Sequence, residues 1–258
     1  TAFEYEKGMF PTGYCVAEMS DYKYEMKETA EERFEITLPL PASEYAYKYT
    51  VIYEDGTTVT MQDPANPSPK NPNTGNDSGN SLIWVGDREH AIAGQEYIYA
   101  RNDGKTGTYS FVEYTAENGT TQPLGVYLPY GYDTNKTYKT IYVSHGGGGN
   151  EAEWFEIGAV KNIMDNLIAE GEIAETIVVT MNHSAKVGDR NINMRDHIIP
   201  YIEANYPVSK DAADRAMCGL SMGGMITTGM MLNITDTFGN YGIWSGASSI
   251  AEDYDTDA

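Results

Sequence analysis

Arg215-Ala216-Met217-Cys218-Gly219-Leu220-Ser221-Met222-Gly223-Gly224-Met225 is the stretch on which the fold turns. Arg215–Leu220 reads as a strand and Met222–Leu232 as a helix. Between them a serine is flanked by glycines in a G-x-S-x-G pattern. That pattern has mechanical meaning where a strand feeds directly into a helix. The turn is then so tight that the serine hydroxyl stands above the sheet end, and the flanking glycines remove side chains that would collide there. The helix that follows aims the positive end of its dipole at the serine oxygen. A phosphate-binding turn of a dinucleotide fold would instead need G-x-G-x-x-G and an acidic residue about 20 positions on, and neither is present. Ser221 is therefore the candidate nucleophile, and the amide of Met222 is a candidate donor to an oxyanion.

Working outward, His145-Gly146-Gly147-Gly148-Gly149-Asn150 follows the apolar run Thr140–Ser144. A glycine loop directly after a buried strand lets backbone amides approach a substrate oxygen, which makes Gly146 and Gly147 the second oxyanion candidates. His145 reads as a structural or pocket residue rather than a base. Trp154 and Phe155 follow the loop and either wall a pocket or pack a helix start. The helical pattern of Ile157–Ala169 is followed by a buried-type strand, Thr176–Met181. Asn193–Tyr206 then reads as a helix ending before Pro207, and Tyr241–Trp244 as a strand. Tyr109–Tyr114 and Leu124–Leu128 read as strands joined through an Asn118-Gly119 turn. Strands alternating with helices of ten or more residues predict an α/β domain with a mostly parallel sheet.

The front of the chain has a different grammar. Phe34, Ile36, Leu38 and Leu40 alternate with polar residues or proline, as in a half-buried strand. Tyr45–Tyr53, rich in tyrosine and β-branched residues, reads as another strand. Asp55-Gly56 signals a hairpin that returns through Thr57–Met61. Residues 63–81 are dense in Pro, Asn, Gly and Ser and read as a loop. Leu82–Val85 and Gln95–Ala100 read as short strands. The expectation is a small all-β sandwich over residues 1–104 and an α/β domain over 105–258, with the boundary at Asn102–Lys105.

The 258 residues carry 17 Lys+Arg against 38 Asp+Glu, a net charge of −21. A surface this acidic repels phosphate backbones and anionic lipid, which argues against nucleic-acid and membrane-surface partners. No run reaches 18 apolar residues. Cys15 and Cys218 are too few for a disulfide framework or a zinc cluster. Asp63 and Asn66 read as turn residues rather than metal ligands, and no metal or organic cofactor is expected.

Several spaced motifs together resemble one family. They are Tyr127-Leu128-Pro129-Tyr130-Gly131-Tyr132, His145–Asn150, Asn193-Met194-Arg195-Asp196, Ile198–Tyr206, Gly219–Gly224 and Trp244-Ser245-Gly246. The segment from Gly125 to Ala247 looks like the bacterial feruloyl and acetylxylan esterases and the enterochelin-esterase-like proteins, which belong to the α/β-hydrolases. The front domain resembles the early-set immunoglobulin-like module related to glycogen-branching-enzyme modules. Its cues are Tyr47–Tyr53 and Asp63-Pro64-Ala65-Asn66-Pro67. The resemblance implies an extracellular bacterial enzyme that hydrolyses ester decorations on plant cell-wall polysaccharide. It also implies that Arg195 and Asp196 lie beside the active site, as a capping pair or as substrate contacts.

The pattern departs from this family in one respect. A hydrolase of this fold orders its triad as serine, acid, histidine. Here the four histidines, His90, His145, His183 and His197, all precede Ser221, while Asp236, Glu252, Asp253, Asp255 and Asp257 follow it. Three readings stay open: a longer esterase of which this is a fragment, a non-catalytic carbohydrate-binding relative, or a substitute base, for which His183 is the candidate. A sheet ending after its sixth strand would expose an apolar edge and invite self-association.

Overall fold

The computed structural model describes residues 24–30 and 33–246. Cys15 and the acids at 252, 253, 255 and 257 lie outside them. The chain divides into two compact units: residues up to Ser68 with Asn80–Tyr99, and Pro69–Gly79 with everything from Ala100.

In the first unit the described strands pair two by two. β1 (Lys27–Ala30) pairs with β2 (Arg33–Glu35), β3 (Ser43–Tyr47) with β6 (Ser81–Val85), and β4 (Tyr49–Ile52) with β5 (Thr58–Met61), all antiparallel. Tyr45–Tyr53 is thus two strands broken at Lys48, each with its own partner. The alternation at 34–40 does not make a half-buried strand: only Arg33–Glu35 is extended in a ladder, and Phe34 and Ile36 are exposed. Gln95–Ala100 holds a 3-10 turn, Glu96–Ile98, instead of a strand. The Asp55-Gly56 hairpin forms as expected, with Gly56 at φ +82° and the Asp55 carboxylate accepting the Thr57 amide. Asp63 is a turn residue. Its carboxylate accepts the Tyr47 and Tyr49 hydroxyls and the Ala65 amide.

The second unit is built on a six-stranded mixed sheet. β7 (Thr108–Thr115) and β8 (Thr121–Leu128) form an antiparallel hairpin, and β8 pairs antiparallel with β10 (Thr176–Met181). β10, β9 (Lys139–Ser144), β11 (Arg215–Leu220) and β12 (Asn240–Trp244) run parallel, in the order β12-β11-β9-β10-β8-β7. All six residues of β10 are buried, as a parallel strand covered on both faces requires. Its alternate residues feed different cores. Ile177, Val179 and Met181 join Met194, Ile198 and Ile202, while Val178 joins Phe155 and Met164.

Helices cover both faces. α1 (Val160–Ala169) packs Val160, Met164 and Ile168 into the smaller core. It begins three residues later than its periodicity suggests, because Ala159 takes a left-handed φ of 47° and 151–158 are turns. The helix expected from Asn193 begins at Arg190, where the Asp189 carboxylate accepts the amides of Asn191 and Ile192. It then runs in π-turns through Asn193–Ile198 and ends as α2 (Ile199–Asn205). α3 (Met222–Asn233) buries Met230 and packs Ile226 against the larger core. Among the described residues, no helix is long and apolar enough to cross a membrane.

Register decides where the site lies. Ser144 at the end of β9 pairs with Gly219 of β11 on one side and with Met181 of β10 on the other, and Leu220 pairs with Trp244. The chain therefore leaves the sheet at His145, Asn182, Ser221 and Ser245 along one edge, at the carboxyl ends of the parallel strands. Ligand sites of open α/β sheets form there.

Candidate active site

Ser221 joins β11 to α3 at φ 53° and ψ −113°, a conformation a serine adopts only under constraint. Its amide donates to the Trp244 carbonyl at 2.8 Å, and its carbonyl accepts the Met225 amide at 3.0 Å. The glycines around it are required by contact. A Cβ on Gly219 would collide with the Gly223 backbone, and one on Gly223 would lie 2.6 Å from the His145 carbonyl oxygen and still closer to that of Ser144. The start of α3 is thus wedged against the end of β9. The Ser221 side chain is left exposed at the tip.

The glycine loop lies against this turn. A Cβ on Gly146 would sit 3.8 Å from the Ser221 Cβ, and one on Gly147 would sit 3.7 Å from the Met222 Cε. Gly146, Gly147 and Met222 are therefore gathered around the serine. The first amides of α3, Met222 among them, have no carbonyl behind them within the helix. Backbone donors converging beside a serine hydroxyl can stabilise an anionic tetrahedral oxygen.

Two aromatic rings flank the turn. Trp154 packs against Trp244 with centroids 5.5 Å apart, and Trp244 is the residue whose carbonyl holds the Ser221 amide. Met222, Met225, Ile243 and Trp244 are all exposed, so the serine stands in apolar surroundings.

The histidines sit below the loop. His145 is fully buried and hydrogen-bonds the Gly146 carbonyl through Nδ1 at 2.6 Å. Its ring stacks on His183 at 3.7 Å, and His183 Nδ1 lies 2.8 Å from Ser144 Oγ. His183 also accepts Arg190 on its backbone carbonyl. Burial, with the neighbouring His145 and Arg190 adding to it, pushes the His183 imidazole down to about 4. Among the described residues, none hydrogen-bonds the Ser221 hydroxyl. Arg195 and Asp196 are exposed and bind each other through two short contacts of 2.8 and 2.7 Å. Asp236 lies beyond the far end of the twelve-residue α3, roughly 18 Å from the serine at 1.5 Å per residue, and is no triad acid.

The sequence reading missed a buried polar hub under the loop. Glu151, directly after it, is fully buried. Its carboxylate accepts Asn71 Nδ2 at 2.6 Å, Thr74 Oγ1 at 3.0 Å, Asn76 Nδ2 at 3.0 Å and Asn182 Nδ2 at 3.0 Å. Nearby, burial raises Glu156 to about 7, although its carboxylate accepts the Ser78 amide.

Two opposed pH effects follow. Below pH 6.5 the unfolded chain protonates His183 while the folded one resists down to about 4, so stability falls as pH drops through that window. Above 4.5 the unfolded chain ionises Glu156 while the folded one resists up to about 7, so stability falls as pH rises. Glu156→Gln removes only the second effect. Its stability advantage over the unmodified chain should grow by up to about 3 kcal/mol between pH 4.5 and 7 and then level off. Urea unfolding at several pH values reads this directly, and a difference independent of pH would contradict it.

The chain is similar to known esterases. Residues 115–252, more than half of the chain, match the model of the esterase family described as "Putative esterase". An endo-1,4-beta-xylanase/feruloyl esterase of Xylanibacter ruminicola is 34% identical over 190 residues, which are 67% of this chain and 26% of that protein. Endo-1,4-beta-xylanase Y of Acetivibrio thermocellus is 37% identical over 137 residues, 48% of this chain and 13% of that protein. The chain thus spans about a quarter or less of the length of these curated relatives. Among solved structures, a serine-to-alanine mutant of the feruloyl esterase module from Clostridium thermocellum, complexed with sinapinate, superposes with TM-score 0.52 at 31% identity. That match covers 58% of this chain and 57% of the other. A ferulic acid esterase from Anaeromyces mucronatus in complex with ferulic acid gives TM-score 0.54 at 25% identity, over 59% of this chain and 62% of the other. The second unit has the α/β-hydrolase fold, and the chain belongs to this esterase family.

Proposed function

We propose that the protein hydrolyses feruloyl or acetyl esters of plant cell-wall polysaccharide, with Ser221 as nucleophile. One observation carries the reading: the strained serine turn has Gly146 packed against it. The Ser221 oxygen attacks the ester carbonyl, forming a C–O bond, and its proton passes to a general base. The carbonyl π electrons move onto the oxygen held by the amides of Met222 and Gly146 or Gly147. Collapse expels the sugar hydroxyl with a proton and leaves an acyl-serine, which water then hydrolyses. No step calls for a metal or organic cofactor. The substrate class is supported by the xylanase/feruloyl esterase relative and by the sinapinate and ferulic acid bound in the two solved structures. The Trp154–Trp244 pair beside the serine suits a planar aromatic acyl group. Trp244→Ala should raise KM for methyl ferulate about tenfold and hardly change KM for p-nitrophenyl acetate, which has no large acyl ring to lose contact with. Equal effects on the two esters would remove Trp244 from the acyl pocket.

The same reading makes this a secreted enzyme, and residues 1–104, apart from the 69–79 segment that belongs to the second unit, an early-set module accompanying an esterase domain at 105–258. A second reading is a carbohydrate-binding relative without turnover. It is favoured by one observation: the described imidazoles bond Ser144, Gly146, Thr115 and Asp87, not Ser221. Methyl ferulate hydrolysis by the protein, its Ser221→Ala variant and its His183→Ala variant separates the readings. Turnover lost only with Ser221 supports the esterase with its base elsewhere. Turnover lost with either residue makes His183 the substitute base. Absence of turnover alongside retained xylan binding favours the binding protein.

A further inference from the structure

We propose that Glu151 is the positioning residue of the glycine loop, a role that rests on the oxyanion assignment above. Four donors from two separate segments converge on its buried carboxylate: Asn71, Thr74 and Asn76 from residues 69–79, and Asn182 from the end of β10. Its own backbone carbonyl accepts Thr180 Oγ1 at 2.5 Å. The residue is thus fastened to β10 from both its main chain and its side chain. Asn150, its neighbour, reaches back to residues 69–79 by donating to the Asp77 carbonyl at 2.8 Å. Asn182 is followed directly by His183, whose ring stacks on that of His145 at 3.7 Å. His145 in turn holds the Gly146 carbonyl. Contacts therefore run from Glu151 to Asn182, and from the adjoining His183 through the His145 ring to the glycine that abuts Ser221.

The chemistry of the hub calls for a carboxylate. Three amide nitrogens and one hydroxyl all donate, and only an ionised acid presents acceptors alone to them. Glutamine at this position keeps the shape but turns an NH2 group toward those donors, leaving buried donors facing a donor. A flexible glycine loop supplies little order of its own. The segment 69–79 accordingly acts as a strap that holds the loop from beneath through Glu151.

The test is amide hydrogen exchange on the protein and its Glu151→Gln and Asn76→Ala variants. The expected result is exchange about tenfold faster at 69–79 and at 146–150 together in both variants, with the β9, β10 and β11 amides unchanged. Faster exchange at 69–79 alone, or none, would overturn the proposal. So would global loosening in Glu151→Gln if Asn76→Ala also failed to couple the two segments. Where methyl ferulate turnover is measurable, both variants should lower kcat with KM near that of the parent, since a misplaced oxyanion loop loses transition-state rather than ground-state contacts. If Ser221→Ala leaves turnover unaltered while the two segments still exchange together, the esterase reading fails and the strap stands.

Discussion

Replacing Ser221 by alanine should lower kcat for methyl ferulate by at least about 10³-fold without harming the fold. The nucleophile contributes the bond that forms, and alanine has no oxygen with which to form it. Alanine is no less strained than serine at φ 53°, ψ −113°, so stability should change by less than about 0.5 kcal/mol. Glycine at the same position makes a sharper statement. It relieves the strain, and Ser221→Gly should be about 1–3 kcal/mol more stable than Ser221→Ala and just as inactive. That pairing of lost activity with gained stability is expected where strain is held for the sake of a reactive group. Equal stability of the two variants in urea unfolding would mean that the turn stores none.

The second large effect is expected at Gly223. A Cβ there meets the carbonyl oxygens of Ser144 and His145, which are backbone atoms at the end of a central strand and cannot swing aside. Gly223→Ala should destabilise the second unit by more than about 3 kcal/mol, as overpacking against backbone does. The push falls on β9 where the glycine loop leaves the sheet, so any protein that still folds should also lose turnover. A loss of under about 1 kcal/mol would show that α3 and β9 are not wedged as described.

These two sites explain how much could be read beforehand. The turn at 219–224 was legible because its requirements are local: strand, tight corner and helix are neighbours in sequence, and sterics fix the glycines. The glycine loop was legible for the same reason. What brings the two together is not local. Ser144 and Gly219 are paired across the sheet, and no periodicity reports pairing. The Glu151 hub was invisible because its parts come from residues 71–76, 151 and 182, each an ordinary polar residue in a turn or at a strand end. Its faint signals were an Asn-rich stretch inside the 63–81 loop and an acid placed directly after the glycines. That loop is shared between the two units, which composition cannot reveal. In the front unit, propensity read Tyr45–Tyr53 as one strand, since tyrosine and β-branched residues favour either partner equally. His183 follows β10 at the sheet edge that carries the serine turn. The Ser144 hydroxyl beside its Nδ1, and the His145 ring stacked on it, could not be foreseen from spacing.

The most direct test of the central claim is mass spectrometry of the protein quenched during turnover of p-nitrophenyl acetate, with the adduct located by peptide mapping. The expected result is an acetyl group on Ser221 that is absent from the Ser221→Ala variant. An unmodified Ser221 beside continuing hydrolysis that survives in Ser221→Ala would contradict it.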